Sequence, residues 1–582
     1  MKLSKKVAIS TIAVVLSLSV ALPSLAATSH WNDNAAKTNI STDWINWKAD
    51  WESVKNNFEQ IALAPGATES SLNFAWYSKA EGQSLISLST TRNMDNPTEI
   101  GGLSEKYKVL NGVTYYSNKV TASRLKPNSV YYYQYYLDGK WSTVRKFETQ
   151  GTEEFSFLYV GDPQIGASVG QTANGETSAQ TAELAARNDA FSWNSTLESA
   201  MNANPNVSFM ISAGDQINET ASDGSAAKDL QQEIEYAGYL SPSLISSLPI
   251  ATTIGNHDSL TANYKNHFNT PNPFTTEATP SKAGYDYYYT YGNTLFIFLD
   301  TNNYNVADHE ALIKKATHAN PNVTWKIVTF HQDIYGSGAD HSDSDGIILR
   351  TQLTAMLDKY DIDAVLQGHD HTYSRSYQLS SDSTTHTSYN ASVNLKDEAT
   401  KAEFQQQNLC YKIVSDTLDA TNTVVTNPQG VLYMEANSST GSKFYELIAT
   451  QQNYIATRSQ TWTPSYSVID VTKDTLTINT YDVSTGNKID TSYTIKKTNE
   501  IATDKITLSK TAISLSVGNT YTLKADLSPA DATDVVTFAT SNEEVAVVDA
   551  KTGVITAKKV GTATITVTSG SVETVCKVTV KK

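Results

Sequence analysis

The chain has 582 residues, 40% hydrophobic and 18% charged, with a formal charge of −16 from 44 Lys+Arg against 60 Asp+Glu. That is enough apolar material for several buried cores, which excludes wholesale disorder, and about 150 residues per domain suggests roughly three to four domains. The acidic balance argues against broad binding to nucleic acid or anionic membranes, and two cysteines, Cys410 and Cys576, can build neither a disulfide framework nor a Cys-rich zinc site.

The N-terminus has the three-part layout of a secretory signal peptide. Lys2, Lys5 and Lys6 precede an apolar run from Val7 to Leu22, and Ser24-Leu25-Ala26 supplies small residues for cleavage after Ala26. The run is short for a spanning helix, and no Cys follows it to carry a lipid. The sequence therefore predicts an exported protein of bacterial type, secreted or held at the cell surface without membrane insertion.

Residues 27–55 are a polar lead-in with scattered Trp (Trp31, Trp44, Trp47, Trp51). Residues 56–150 read as a small β-sandwich of about seven strands, from short alternating runs such as Leu72–Trp76 and the Tyr-rich Ser129–Tyr136. The character changes over 151–498. Apolar strands end in Gly, Asp, Asn or His, and helical stretches such as Thr181–Met201 and Leu349–Tyr360 lie between them. This alternation predicts an α/β sheet whose ligand sits at the carboxyl ends of strands. A Ser/Thr-rich stretch near 379–400 reads as a surface insertion. Residues 503–582 are again all-β, of a size that suits one Ig-like sandwich.

Five segments of the α/β region follow apolar runs: Gly161-Asp162-Pro163-Gln164, Gly214-Asp215-Gln216-Ile217-Asn218, Gly255-Asn256-His257-Asp258, Thr329-Phe330-His331 and Gly368-His369-Asp370-His371. Together they offer carboxylates, an amide oxygen and imidazoles, a donor set that suits zinc, iron or manganese. Two such ions sharing a carboxylate can clamp a phosphate and activate water. Taken singly, Gly-Asp after a strand is an ordinary turn. The five in this order are not accidental.

With these motifs the chain resembles the calcineurin-like metallophosphoesterases, and within them the purple-acid-phosphatase-like branch. Residues 56–150 resemble that branch's fibronectin-like N-terminal domain, and 503–582 resemble the bacterial Ig-like group 2 domain through Ser514–Gly518, Ser541-Asn542 and Val554–Ala557. The resemblance implies an α/β metallophosphoesterase sandwich, β-sheets flanked by helices, with an all-β domain on each side. It further implies that Asp215 bridges two divalent ions (Zn, Mn or Fe). Asp162 and His371 would hold the first ion, and Asn256, His331 and His369 the second. His257 would face the phosphate, Asp258 would orient His257, and His341 would be a second substrate-facing histidine. Arg375 would either pair structurally or touch phosphate.

Two positions depart from the family pattern. Gln164 stands where the wider superfamily has a ligating histidine, and Asn218 where the purple enzymes have a ligating tyrosine. Both substitutions weaken the first site and speak against ferric iron. Asp343-Ser344-Asp345-Gly346 fails as a calcium loop, because its register puts His341 and Gln352 in ligand places. His30, His267, His309, His318 and His386 lie outside any motif and are expected at the surface, and the Tyr131–Tyr136 cluster is expected in the sandwich core and on its strand surface.

The function expected is a secreted hydrolase of small phosphate monoesters, using a dinuclear metal centre and a metal-activated hydroxide, with surface retention through the Ig-like domain. A phosphodiesterase or nucleotide hydrolase on the same site is the alternative reaction. An adhesion or scaffold protein with an idle phosphoesterase domain is the alternative class.

Overall fold

The computed structural model describes residues 41–582 apart from 173–176, 277–280, 340, 343–344, 387–396, 415–423, 500 and 531. The signal-peptide segment and the start of the lead-in lie outside the described residues, as do residues 387–396 of the 379–400 stretch and part of the 343–346 segment. The chain divides into two compact units, Met1–Lys496 and Lys497–Lys582.

The first unit begins with a helix, Thr42–Val54, capped by the Ser41 hydroxyl. Its Trp44 packs edge-on against Phe191 at 5.0 Å, and the Trp47 indole donates to Arg187 O. This explains the scattered tryptophans of the lead-in: the helix is pinned by aromatic side chains rather than by a broad apolar stripe. A four-stranded and a five-stranded sheet then form a β-sandwich. Along Ser129–Leu137, Tyr131, Tyr133 and Tyr135 point into its core beside Phe74 and Trp76, while Tyr132 and Tyr136 are half-buried on the other face. Strict alternation along a strand produces that division.

Two larger sheets carry the α/β portion. The seven-stranded sheet centres on Phe209–Ser212, Phe155–Val160 and Ser465–Val471; the eight-stranded sheet runs through Thr294–Phe298, Trp325–Thr329, Ala364–Gln367 and Val431–Glu435. Phe155, Phe157, Tyr159, Phe209 and Ile211 meet Tyr289, Phe296, Ile327 and Leu366 in one core between the sheets. The opposite faces are covered by helices. Leu158, Val160 and Met210 pack with Trp193 and Leu197 of Ala182–Ala203 and Tyr236 of Ala226–Leu240. Ile297, Val328 and Val365 pack with Leu312 of Val306–Ala319 and Leu353 of Asp345–Lys359. Burial on both faces is why these strands read as unbroken apolar runs. The expected architecture, sheets flanked by helices with β-domains before and after, is the one observed.

Two details differ from the sequence reading, and a third decides between its alternatives. The helix Ala182–Ala203 buries Ala186, Ala190, Trp193 and Leu197, whereas Leu184 is 37% exposed. His267 and His309 are buried rather than on the surface: His267 lies 2.8 Å from Glu233 and His309 lies 2.6 Å from Asp286. A carboxylate partner makes burial of an imidazole affordable, and neither partner is adjacent in sequence. Arg375 pairs with Asp490 at 2.7 Å and lies over the Tyr493 ring, which is the structural alternative for this residue.

The second unit is an all-β body whose core is Leu523, Phe538, Ile555, Ile565, Val567 and Val578. Both cysteines are unpaired and buried. The five motifs all lie outside this unit. A chain ending near Glu500 is therefore expected to keep its catalytic turnover within about twofold. A large fall in kcat of a well-folded truncation would refute this.

Candidate metal centre

Each motif occupies the loop that follows a parallel strand. Asp162 follows Phe155–Val160, Asp215 follows Phe209–Ser212, Asn256 and His257 follow Ile250–Thr252, His331 follows Trp325–Thr329, and His369 and His371 follow Ala364–Gln367. The backbone there is strained. Asp162, Asp215, His369 and His371 all adopt positive φ, at 41°, 44°, 83° and 48°. Non-glycine residues seldom do so, and the cost concentrates at functional sites. Two glycines allow the close packing. A Cβ on Gly255 would lie 2.0 Å from Asp215 Oδ1, and one on Gly214, at φ 99°, would lie 2.3 Å from His331 Nδ1.

The side chains converge. His331 Nε2 lies 2.9 Å from Asn256 Oδ1, 3.0 Å from His369 Nδ1 and 3.4 Å from Asp215 Oδ2. Its Nδ1 faces Ala213 O at 2.9 Å, which fixes the ring. His371 Nε2 lies 3.6 Å from Asp162 Oδ1, and His371 Nδ1 is anchored on Lys443 O at 2.7 Å. Asp162 Oδ2 accepts from His369 N at 2.8 Å. The six residues named from the sequence as ligands are thus linked through these contacts, five of them buried and Asn256 half-buried.

The cluster fits a metal. Two ligand atoms each about 2.1 Å from one ion, at roughly 90–110° to each other, lie about 3.0–3.4 Å apart, the spacing seen around His331 Nε2. Asp162 Oδ1 and Gln164 Oε1 are buried without a hydrogen-bond partner, which leaves both oxygens available to a ligand. Asp215, His331 and His369 offer ligand atoms all within 4.8 Å of one another.

The electrostatics follow from burial and crowding. Burial pushes the Asp162 carboxyl up to about 8, with Asp215 adding to the rise and His331 opposing it. For His331 the depressing effect of burial is outweighed by Asp215 and Asp162, which lift the imidazole to about 10. Burial lowers His257, and it lowers His371 with help from the Lys443 ammonium.

His257 backs onto the bridging position. Its backbone N–H donates to Asp215 Oδ1 at 2.9 Å, its ring Nε2 lies 3.9 Å from Asp215 Oδ2, and its ring Nδ1 hydrogen-bonds to Asn218 O. Asp258 does not orient it. Asp258 accepts instead from Tyr236 OH at 2.8 Å and from the backbone of Gly255 and Gln216. Neighbouring side chains on a turn point apart, so Asp258 braces the loop while the Asn218 carbonyl holds the ring. Asn218 is held in turn by Glu235, whose Oε2 accepts from Asn218 N and Glu219 N at 2.9 and 2.7 Å.

His341 reaches the site, with its ring 3.8 Å from that of His369. Tyr445 stands beside it, its hydroxyl 3.5 Å from His341 Nε2 and its ring edge-on to His371 at 5.3 Å. Lys443 Nζ lies over the Tyr445 ring at 4.5 Å. Sequence reasoning missed Lys443 and Tyr445, which lie in a long connection that carries no motif.

This fold and cluster are those of a phosphoesterase domain with candidate metal ligands, as the family comparisons show. Residues 155–373 match the calcineurin-like phosphoesterase family, 58–149 the purple acid phosphatase N-terminal domain and 502–580 the bacterial Ig-like domain (group 2). The chain thus carries a calcineurin-like phosphoesterase domain behind a purple acid phosphatase N-terminal domain, and it is a phosphate-ester hydrolase. Similar solved structures include a purple acid phosphatase from yellow lupin (Lupinus luteus) seeds, with 13% identity, 75% of each chain covered and TM-score 0.49. Another is PhoD, with 12% identity, 77% of this chain and 95% of that one covered, and TM-score 0.43. No curated protein matches the chain. The Ig-like domain is of a kind typical of bacterial surface proteins, and among the described residues no helix is long and apolar enough to cross a membrane.

The first half of the cluster is short of strong donors. Gln164 Nε2 donates to Asn218 Oδ1 at 3.4 Å, leaving Gln164 Oε1 as the free atom. A neutral amide oxygen is a weaker donor to zinc or ferrous iron than imidazole. Gln164→His is therefore expected to slow loss of the more labile metal ion under chelation by about tenfold or more, and the as-isolated protein is expected to be colourless. Equal release rates for variant and wild type, or a purple protein, would count against it.

Proposed function

We propose that the protein is a secreted phosphatase of small phosphate monoesters with a dinuclear centre of divalent ions, zinc, manganese or ferrous iron. The observation that carries this reading is the spacing of Asn256, His369 and Asp215 around His331 Nε2, together with the orphaned Asp162 oxygen beside His371. Asp215 would be shared. Asp162 and His371 would complete one site, with Gln164 as a weak further donor, and Asn256, His331 and His369 the other. Bound there, the ions would supply charge neutralisation for phosphate and a lowered pKa for water.

The remaining chemistry belongs to side chains. Because His257 Nδ1 is committed to Asn218 O, any proton the ring gives or takes moves at Nε2. As water oxygen bonds to phosphorus and the ester P–O bond breaks, Nε2 would deliver a proton to the departing alkoxide. His341, Tyr445 and Lys443 would bind the non-bridging oxygens from the opposite side. Two imidazoles and an ammonium suit a dianionic monoester better than a monoanionic diester. Export is supported by the residue pattern of 1–26 and by the Ig-like domain.

The test is turnover of 4-nitrophenyl phosphate against bis(4-nitrophenyl) phosphate by the metal-reconstituted protein. We expect kcat/KM to favour the monoester by about tenfold or more. A reversed preference would make the protein a diesterase, and no turnover of either with metal bound would favour the idle-domain reading.

A further inference from the structure

Behind the metal-centre loops lies a second group of carboxylates. Asp333 follows His331, Asp370 lies between His369 and His371, and Glu435 ends the strand Val431–Glu435, which pairs in parallel with Ala364–Gln367 in the register Gln367↔Glu435. The three thus sit at the carboxyl ends of adjacent strands of one sheet, where an α/β fold gathers its ligands. All three are fully buried, and one ligand oxygen from each lies within 4.8 Å of the others.

Their hydrogen bonding is incomplete. Ser342 Oγ bonds to Oδ2 of both Asp333 and Asp370, and Ser342 N donates to Asp370 Oδ2 at 3.0 Å. Glu435 Oε2 accepts from Ser337 N at 2.8 Å and Ser374 Oγ at 2.7 Å, and its Oε1 accepts from Thr372 Oγ1. Asp333 Oδ1 and Asp370 Oδ1 make no hydrogen bond to a protein donor, although each is sealed from solvent. The charged group that faces Asp370 most strongly is the His341 imidazole rather than a lysine or arginine. Burying even one unpaired carboxylate is strongly unfavourable, and three in contact repel one another as well.

We propose that Asp333, Asp370 and Glu435 form a third cation site, separate from the dinuclear centre, for a hard divalent ion of the calcium or magnesium class. The donors are all oxygen, with no imidazole or thiolate, which selects hard cations over zinc. Two carboxylate oxygens are already free, and the Ser342 hydroxyl stands between their carboxyl groups. A cation here would tie together the segments that carry His331, His369 and His371, so its role is structural: it holds the ligand loops in place and does not touch substrate. The site is independent of which ester the enzyme cleaves.

The experiment counts metals on the full-length protein. Wild type and the Asp333→Asn/Glu435→Gln double variant are dialysed against zinc with calcium, or zinc with magnesium, then freed of loose ions and analysed by elemental mass spectrometry. Wild type should retain about one calcium or magnesium per chain beyond its zinc, and the two dialysis arms tell which. The double variant should lose that ion and keep its zinc. Stripping the ion from wild type should lower Tm, and calcium or magnesium, but not zinc, should restore it. A wild type holding no hard cation overturns the proposal, whether or not the double variant folds. So does a double variant that retains the ion, or one that is as stable in chelator as wild type is with calcium, which would mean that the three carboxyl groups share protons.

Discussion

Replacing Asp215 by Asn should abolish metal retention and phosphatase activity together, lowering kcat/KM by on the order of 10³-fold or more. Asp215 Oδ2 faces both His331 Nε2, at 3.4 Å, and His257 Nε2, at 3.9 Å. Burial works against its charge, but the His331 and His257 imidazoles outweigh burial and hold its carboxyl well below the usual range. An asparagine keeps the shape and removes the negative charge, so two cations would face each other with no anion between them. The β-domains make no use of this side chain and should stay folded, as circular dichroism and thermal melting can check. Near-normal turnover of purified Asp215→Asn would show that no shared carboxylate is needed.

For His257→Ala the expected result is a fall in turnover of about 10²- to 10⁴-fold with metal content unchanged. The ring is fixed through Nδ1 on Asn218 O, and its Nε2 is the atom turned toward the bridging position. The loss should depend on the leaving group. An alkyl phosphate, whose alkoxide needs a proton, should suffer more than 4-nitrophenyl phosphate, whose phenolate leaves without one. Equal losses on both substrates would make the ring a charge stabiliser rather than an acid, and loss of metal would make it a ligand. Because Glu235 holds the Asn218 backbone, damage to this carboxylate should misplace the same ring without touching a ligand.

Much of this molecule was legible in its sequence because the signals are local. Phe155–Val160 and Phe209–Ser212 are short apolar runs stopped by Gly-Asp, and a strand buried on both faces has no other way to look. The Tyr alternation along Ser129–Leu137 reports its two faces directly. What each strand end presents to solvent or ligand is likewise written in the two or three residues that follow it.

The tertiary structure decided the contacts made between distant segments. Asp258 reads as a partner for the histidine beside it, yet its hydrogen bonds go to Tyr236 on another element, and the carbonyl of Asn218 holds the ring. His267 and His309 carry no burial signal of their own, since an imidazole stays inside only where a carboxylate such as Glu233 or Asp286 is brought to it. Tyr445 and Lys443 belong to no pattern and reach the site through a long connection. Asp333, Asp370 and Glu435 are unremarkable acids in sequence and become a buried cluster only because three strands pair side by side. Periodicity and turn chemistry act over a few residues and so can be read from the chain. The charge environment of a buried group depends on segments tens to hundreds of residues away, and only sheet closure brings those together.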